Sequence, residues 1–196
     1  MAIRIVPRTI QSKQNPRLKE LRATLQRPGR GEGDLIALEG IHLVEEALRS
    51  GIKLQTLFIA EGHENLLTTL DLDESVEVLA LPFELLNEAV TTETPQPIAA
   101  LAHPRNWPCS AILPEILTPS ALIPSLVIVL SGIQDPGNLG TILRSAEAFG
   151  ATGAICLPGT VNRWNPKVMR ASAGSVFRLP TLAASESKAL QHLREA

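Results

Sequence analysis

The 196-residue chain has no tyrosine, and its aromatic content is only 3%. That shortage argues against an extended platform on which successive bases stack. Cysteine is equally scarce. Cys109 and Cys156 are the two present, far apart and without metal-ligand spacing. They read as reduced thiols, with neither a disulfide framework nor a zinc site, and no metal is expected. No apolar run approaches the roughly 20 residues of a membrane span. Nothing resembling a signal peptide opens the chain. These shortages together predict a cytoplasmic protein with no membrane partner. What is abundant is aliphatic: 44% of residues are hydrophobic, enough for a substantial core in one or two domains.

The net charge of −2 says little, but its distribution is uneven. Residues 1–30 carry eight Arg or Lys against one Glu, a net +7. Residues 31–99 carry two basic and fourteen acidic residues, a net −12, and residues 100–196 carry eight and five, a net +3. A basic arm ahead of an acidic body either binds phosphates or is a solvated extension.

Local signals alternate between strand and helix, which implies an α/β layer structure. Asn15 and Pro16 have the form of an N-cap followed by proline at the first helical position, and Leu18, Leu21 and Leu25 make an apolar stripe. Strands are expected over Leu35–Leu38, Leu54–Ala60, Val76–Ala80 and Ile98–Ala102. Helices are expected over Ile41–Ser50, with Ile41, Val44 and Leu48 inward, over Asn65–Leu70 and over Phe83–Val90. Prolines 104, 108, 114, 119 and 124 then mark an extended linker, with Trp107 able to pin it to one domain. The expected division is 1–103, a linker at 104–124, and a second domain over 125–196.

The second domain opens on the most informative stretch. Val127–Leu130 is a continuous apolar run, the pattern of a strand buried on both faces. Asp135-Pro136-Gly137-Asn138 is dense in turn formers, and a helix is expected to start near Asn138 as N-cap. Leu139, Ile142, Leu143, Ala146 and Phe149 follow at helical spacing, and Gly150 suits the C′ position. Ala154–Leu157 reads as a second buried strand. A strand–helix–strand unit of this length implies a parallel pair with a right-handed crossover. Ligands of such sheets bind at the carboxyl ends of the strands, where Asp135 and Asn138 lie. Further on, a helix is expected from Asn165-Pro166 through Ala173, and a last one from Ser185 through Leu193. A dinucleotide-binding reading is disfavoured, since no G-x-G-x-x-G follows Leu130.

The run from Asp135 to Gly150 resembles the first motif of the SpoU (TrmH-like) RNA ribose methyltransferases, of the SPOUT class. The pattern D-P-x-N-x-G-x-I-x-R-x-A-x-A-F-G is met by Asp135, Pro136, Asn138, Gly140, Ile142, Arg144, Ala146, Ala148, Phe149 and Gly150. SKQNPRLKELR at 12–22, LEGIHLVEEAL at 38–48 and TPQPIAAL at 94–101 resemble the family's small substrate-binding domain. The resemblance implies an N-terminal α/β sandwich similar to certain ribosomal proteins, followed by the first part of a parallel-sheet, trefoil-knot methyltransferase domain. The family's second and third motifs do not follow, so the chain reads as truncated before them and inactive alone. The cofactor contacts are then expected C-terminal to Ala196.

For the parent protein the resemblance implies a homodimer. It would transfer methyl from S-adenosylmethionine to a ribose 2′-hydroxyl of structured RNA, ribosomal RNA before transfer RNA. A non-enzymatic RNA-binding protein of the same fold is the alternative. Arg144 is the first candidate for chemistry. It cannot readily act as a base, but it can hold a phosphate and orient the attacking oxygen; otherwise it is a surface residue pairing Glu147 at i+3. Asn138 is either a cap or a polar group aimed into the site. Asp135 either orients the arginine or starts the turn. Lys167 and Arg170, in a segment resembling the family's K-x-x-R-A-S-x-G, either touch RNA phosphates or form a solvated face. Ser172, Gly174 and Gly140 read as packing residues. Arg17, Lys19 and Arg22 are candidates for RNA backbone contact, and His42 for stacking on or bonding an unpaired base.

Overall fold

Two separate sheets organise the chain, one of five strands within residues 1–104 and one of three within residues 105–196. The structure is a computed structural model that describes residues 6–28, 34–92, 94–112 and 125–194. No helix among the described residues is long and apolar enough to cross a membrane.

The first sheet holds β1 (Arg8–Thr9), β2 (Ile36–Glu39), β3 (Leu54–Ala60), β4 (Glu77–Leu81) and β5 (Ile98–Ala102), in the order β1-β4-β3-β5-β2. β1 and β3 run parallel to β4, while β5 runs antiparallel to β3 and β2. β1 escapes sequence reading because two residues cannot display a period. Helix α1 (Pro16–Gln26) begins as expected: the Asn15 side chain accepts from the Arg17 and Leu18 amides, and Pro16 occupies the first turn. Its Leu18, Leu21 and Leu25 are buried against Phe58, Leu79 and Leu101 of the sheet. Truncating one such leucine costs about 2–5 kcal/mol, so α1 is structural core and no solvated extension.

Helix α2 (Ile41–Arg49) is rotated from expectation. It buries Leu43, Val44 and Ala47, and leaves Ile41 and Leu48 only partly covered. Its start is fixed by Gly40 at φ +92° and by the Ile41 amide, which donates to Gln96 Oε1 at 3.0 Å. That anchor turns the Leu43–Ala47 stripe onto β2 and β5. Gly51 at φ +72° ends the helix, with its amide on the Leu48 carbonyl and that of Ile52 on Ala47. The helix expected over Asn65–Leu70 forms as a 3-10 helix over Glu64–Thr69, and α3 (Phe83–Asn87) is shorter than predicted.

The second sheet is parallel throughout, in the order β6 (Val127–Leu130), β7 (Gly153–Cys156), β8 (Thr181–Ala183). Helix α4 (Pro136–Ala148) joins β6 to β7, so the strand–helix–strand unit forms as read. Three details differ. The N-cap is Asp135, whose Oδ1 accepts from the Asn138 amide at 2.7 Å, and Asn138 lies inside the first turn. β6 is not buried on both faces: it is the edge of the sheet among the described residues, with Val129 44% exposed and Leu126 just before it 50% exposed. Phe149 is 85% exposed, because it is the C-cap beyond the last turn, outside the stripe of Leu139, Leu143 and Ala146.

Helix α5 (Pro166–Ala171) is capped by Asn165, as expected, but stops short of Ala173. Ala173 and Gly174, at φ +48° and +84°, are both left-handed and break it. α6 (Ser175–Arg178) then leads to β8, a three-residue strand with no sequence signature, and α7 (Glu186–Arg194) closes the described chain. Ile112, inside the proline-rich stretch, is buried with Ile155 and Ala189, while residues 113–124 of that stretch lie outside the described residues. Arg105 sits over the Trp107 ring at 4.9 Å.

Gly140 sets the contact between α4 and α5. A Cβ there would lie 2.6 Å from both Ala171 Cβ and the Val168 carbonyl oxygen. Gly140→Ala is expected to destabilise the second unit by about 1–3 kcal/mol through overpacking, read as a lowered urea midpoint; an unchanged midpoint would refute the contact.

Candidate functional site

The carboxyl ends of β6 and β7 carry two loops, over residues 131–135 and 157–165, bound into one surface. The Leu157 amide donates to the Leu130 carbonyl at 2.8 Å, the Thr160 hydroxyl to the same carbonyl at 3.1 Å, and the Val161 amide to that of Ile133 at 2.8 Å. Gly132 and Gly159, at φ +65° and +83°, allow the close passage. Asp135 lies at its edge, with one carboxylate oxygen capping α4 and the other 4.0 Å from Lys167 Nζ. The N-terminal ends of α4 and α5 therefore gather Asp135, the exposed Asn138 and the exposed Lys167.

Arg144 is exposed on α4 and makes no ion pair among the described residues. Its alternative partner is taken: Glu147 accepts from Arg178 Nε at 2.6 Å and Nη2 at 3.0 Å. Arg170 is exposed on α5. Ser172 is fully buried, with its hydroxyl donating to the Met169 carbonyl at 2.8 Å, the packing role expected of it. Burial pushes the Cys156 thiol up to about 11, so it stays protonated at neutral pH and is no nucleophile.

Three cations of the basic arm of the first unit are paired with acids of the same unit. Arg17 Nε meets Glu77 at 2.8 Å and its Nη1 meets Glu20 at 2.9 Å, bonds that raise its pKa above the ordinary arginine value. Arg8 bonds Glu77 at 2.7 Å and Lys13 bonds Glu88 at 2.7 Å. Arg17 is thus spent on tying α1 to β4. Among the described residues Lys19 is exposed without an ion pair, and Arg22 reaches the Lys13 carbonyl at 3.4 Å and no acid. His42 is 89% exposed at the start of α2, with Nδ1 3.7 Å from Glu45. Two contacts near it were not legible in sequence. The buried Glu39 carboxylate accepts from the Thr91 amide at 2.6 Å and hydroxyl at 2.9 Å, and Gln96 holds Ile41. Together they tie the segment 38–48 to Thr91 and Gln96, partners some fifty residues further along the chain.

The described residues alone do not fit S-adenosylmethionine. Asp135 is the single acid in the two loops, and it is engaged by the α4 amide and Lys167, which leaves no carboxylate there for a ribose diol.

Residues 125–196 match the SpoU rRNA Methylase family, and residues 15–100 the MRM3-like substrate binding domain. The chain is 32% identical over 174 residues to the 23S rRNA (guanosine(2553)-2'-O)-methyltransferase RlmP of Bacillus subtilis, covering 88% of this chain and 64% of that protein. It is 34% identical to the mitochondrial rRNA methyltransferase 3 of Mus musculus, over 79% of this chain and 36% of the relative. It thus spans less than two thirds of either. Among solved structures, an RNA 2'-O ribose methyltransferase is 33% identical with a TM-score of 0.68, over 96% of this chain and 70% of its own. An AdoMet-bound rRNA methyltransferase from Sinorhizobium meliloti is 28% identical with a TM-score of 0.77, over 95% and 68%.

The hydrogen bond from Arg178 holds the Glu147 carboxyl below the usual carboxylate range, against the opposing effect of burial. A depressed folded-state pKa stabilises the protein above the unfolded value and is lost as pH falls through it. Acidification below about pH 4 is therefore expected to destabilise the unaltered chain more than Glu147→Gln. Parallel urea-midpoint profiles would contradict the pairing.

Proposed function

This chain belongs to the SpoU rRNA methylase family, and on that premise we propose that it is the substrate-binding domain and the first part of the catalytic domain of an RNA 2′-O-methyltransferase. The substrate is structured RNA, ribosomal in preference to transfer. The methyl donor is S-adenosylmethionine, held by residues other than those described. The working enzyme is a cytoplasmic homodimer, with Arg144 acting across its interface.

The observation that carries this reading is the placement of Arg144. It projects from the helix that starts at the carboxyl end of β6, and its obvious carboxylate partner is committed elsewhere. A ribose hydroxyl is a poor nucleophile at neutral pH, so transfer requires proton removal or a cation beside the developing oxyanion. A guanidinium stays charged, holds a phosphate through two N–H groups and keeps the attacking oxygen in line. Asn138 and Lys167, at the start of α4 and α5, extend that polar edge. A second reading, RNA binding without turnover, is favoured by the poor fit of these residues to the cofactor. In the first unit, Lys19 and Arg22 are the RNA-contacting cations and His42 the base-contacting side chain, while Arg17 supports α1.

Arg144→Ala in the full-length enzyme is expected to lower methyl transfer to RNA by about 100-fold or more, with an unchanged melting temperature. Near-normal turnover would refute the role. Lys19→Glu with Arg22→Glu is expected to weaken RNA binding and to flatten its salt dependence by about 1 per lost phosphate contact. Binding that keeps its salt slope would remove this face of α1 from the interface.

A further inference from the structure

We infer that Arg163 is a receptor for a backbone phosphate of the RNA, an inference that rests on the RNA-directed reading above. Arg163 lies in the loop after β7, the loop bound to Leu130 and Ile133 at the carboxyl end of the sheet. Its guanidinium is partly buried, and Nε is closed to water without a hydrogen-bond partner. One face lies over the Trp164 ring at 5.0 Å, and Trp164 in turn stacks on Phe177 with ring centroids 6.3 Å apart. Burial pushes the arginine pKa down, opposed only by Cys156, whose thiol is protonated.

This arginine therefore stands apart. Arg8, Arg17, Arg49 and Arg178 each meet a glutamate. Arg163 meets no acid among the described residues, although it is more enclosed than an exposed Arg144. A partly buried cation without a counter-charge is costly and persists where an external anion completes it. The sequence around it has the charge such an anion requires. Residues 148–185 contain Arg163, Lys167, Arg170 and Arg178 and no Asp or Glu; Lys167 and Arg178 face Asp135 and Glu147 from outside the run, and Arg163 faces no acid among the described residues. A run of that length and sign suits a polyanion better than a single small carboxylate.

The stack adds geometry to charge. Trp164 fixes the guanidinium plane, so little rotamer freedom is left to lose when a phosphate oxygen pair meets the fork. The phosphate would be bound where the strands end, in the same unit as Asp135, Asn138 and Lys167. Arg163 would thus position the strand and take no part in the chemistry.

The test compares the unaltered chain with Arg163→Gln and Arg163→Lys, using anisotropy of a labelled RNA stem-loop across a KCl series. Arg163→Gln is expected to reduce the slope of log K against log salt by about 1, the release of one phosphate contact. Arg163→Lys, which keeps the charge but loses the fork, is expected to keep the slope and bind more weakly. An unchanged slope in Arg163→Gln, with or without a lower melting temperature, overturns the inference and leaves Arg163 as packing for Trp164. Equal loss of slope in both variants overturns it too, because charge is then not what matters. RNA that fails to bind the unaltered chain overturns the RNA-directed reading together with this one.

Discussion

The second unit rests on one close approach, the backbone of α4 at Gly140 against Val168, Ala171 and Ser172 of α5. Any side chain at that position would separate the two helices. With the gap closed, the segment from Lys167 to Arg178 runs alongside α4, so Lys167 meets Asp135 at one end and Arg178 meets Glu147 at the other. The polar edge at the start of the helices and the isolation of Arg144 both follow from it. The same packing buries Ser172 and denies it a chemical role.

Charge in the first unit teaches a complementary point. Read along the chain, the basic arm and the acidic body are two blocks; folded, they face each other. Glu77 on β4 receives both Arg8 and Arg17, and Glu88 receives Lys13. Exposed pairs of this kind contribute little stability each. Their consequence here lies in specificity: they match three surface cations with acids and leave Lys19 and Arg22 without an acidic partner among the described residues. Opposite blocks of sequence charge are thus a poor guide to a binding face until the pairing is known.

The candidate site was partly legible for a physical reason. Asp135, Asn138 and Arg144 lie within three turns of one another on a contiguous stretch, where local rules of capping and helical spacing apply. Even there, one step was off: Asp135 capped the helix, because proline at the next position prefers the first turn and the aspartate oxygen reaches the third amide. Arg163, Glu39 and Gln96 were not legible. Each acquires its meaning from a partner, or the lack of one, far along the chain, as with Glu39 and Thr91.

The sequence by itself determined what depends on near neighbours. It specified the α/β alternation, the capped α1 with its leucine stripe, the strand–helix–strand unit and the motif of Asp135 to Gly150. Only the tertiary structure decided the strand order, the edge position of β6, the rotation of α2, the exposure of Phe149 and the engagement of Arg17. Periodicity records which residues of an element share a face. It does not record what that face meets, because the contacts that settle burial and charge pairing join segments tens of residues apart.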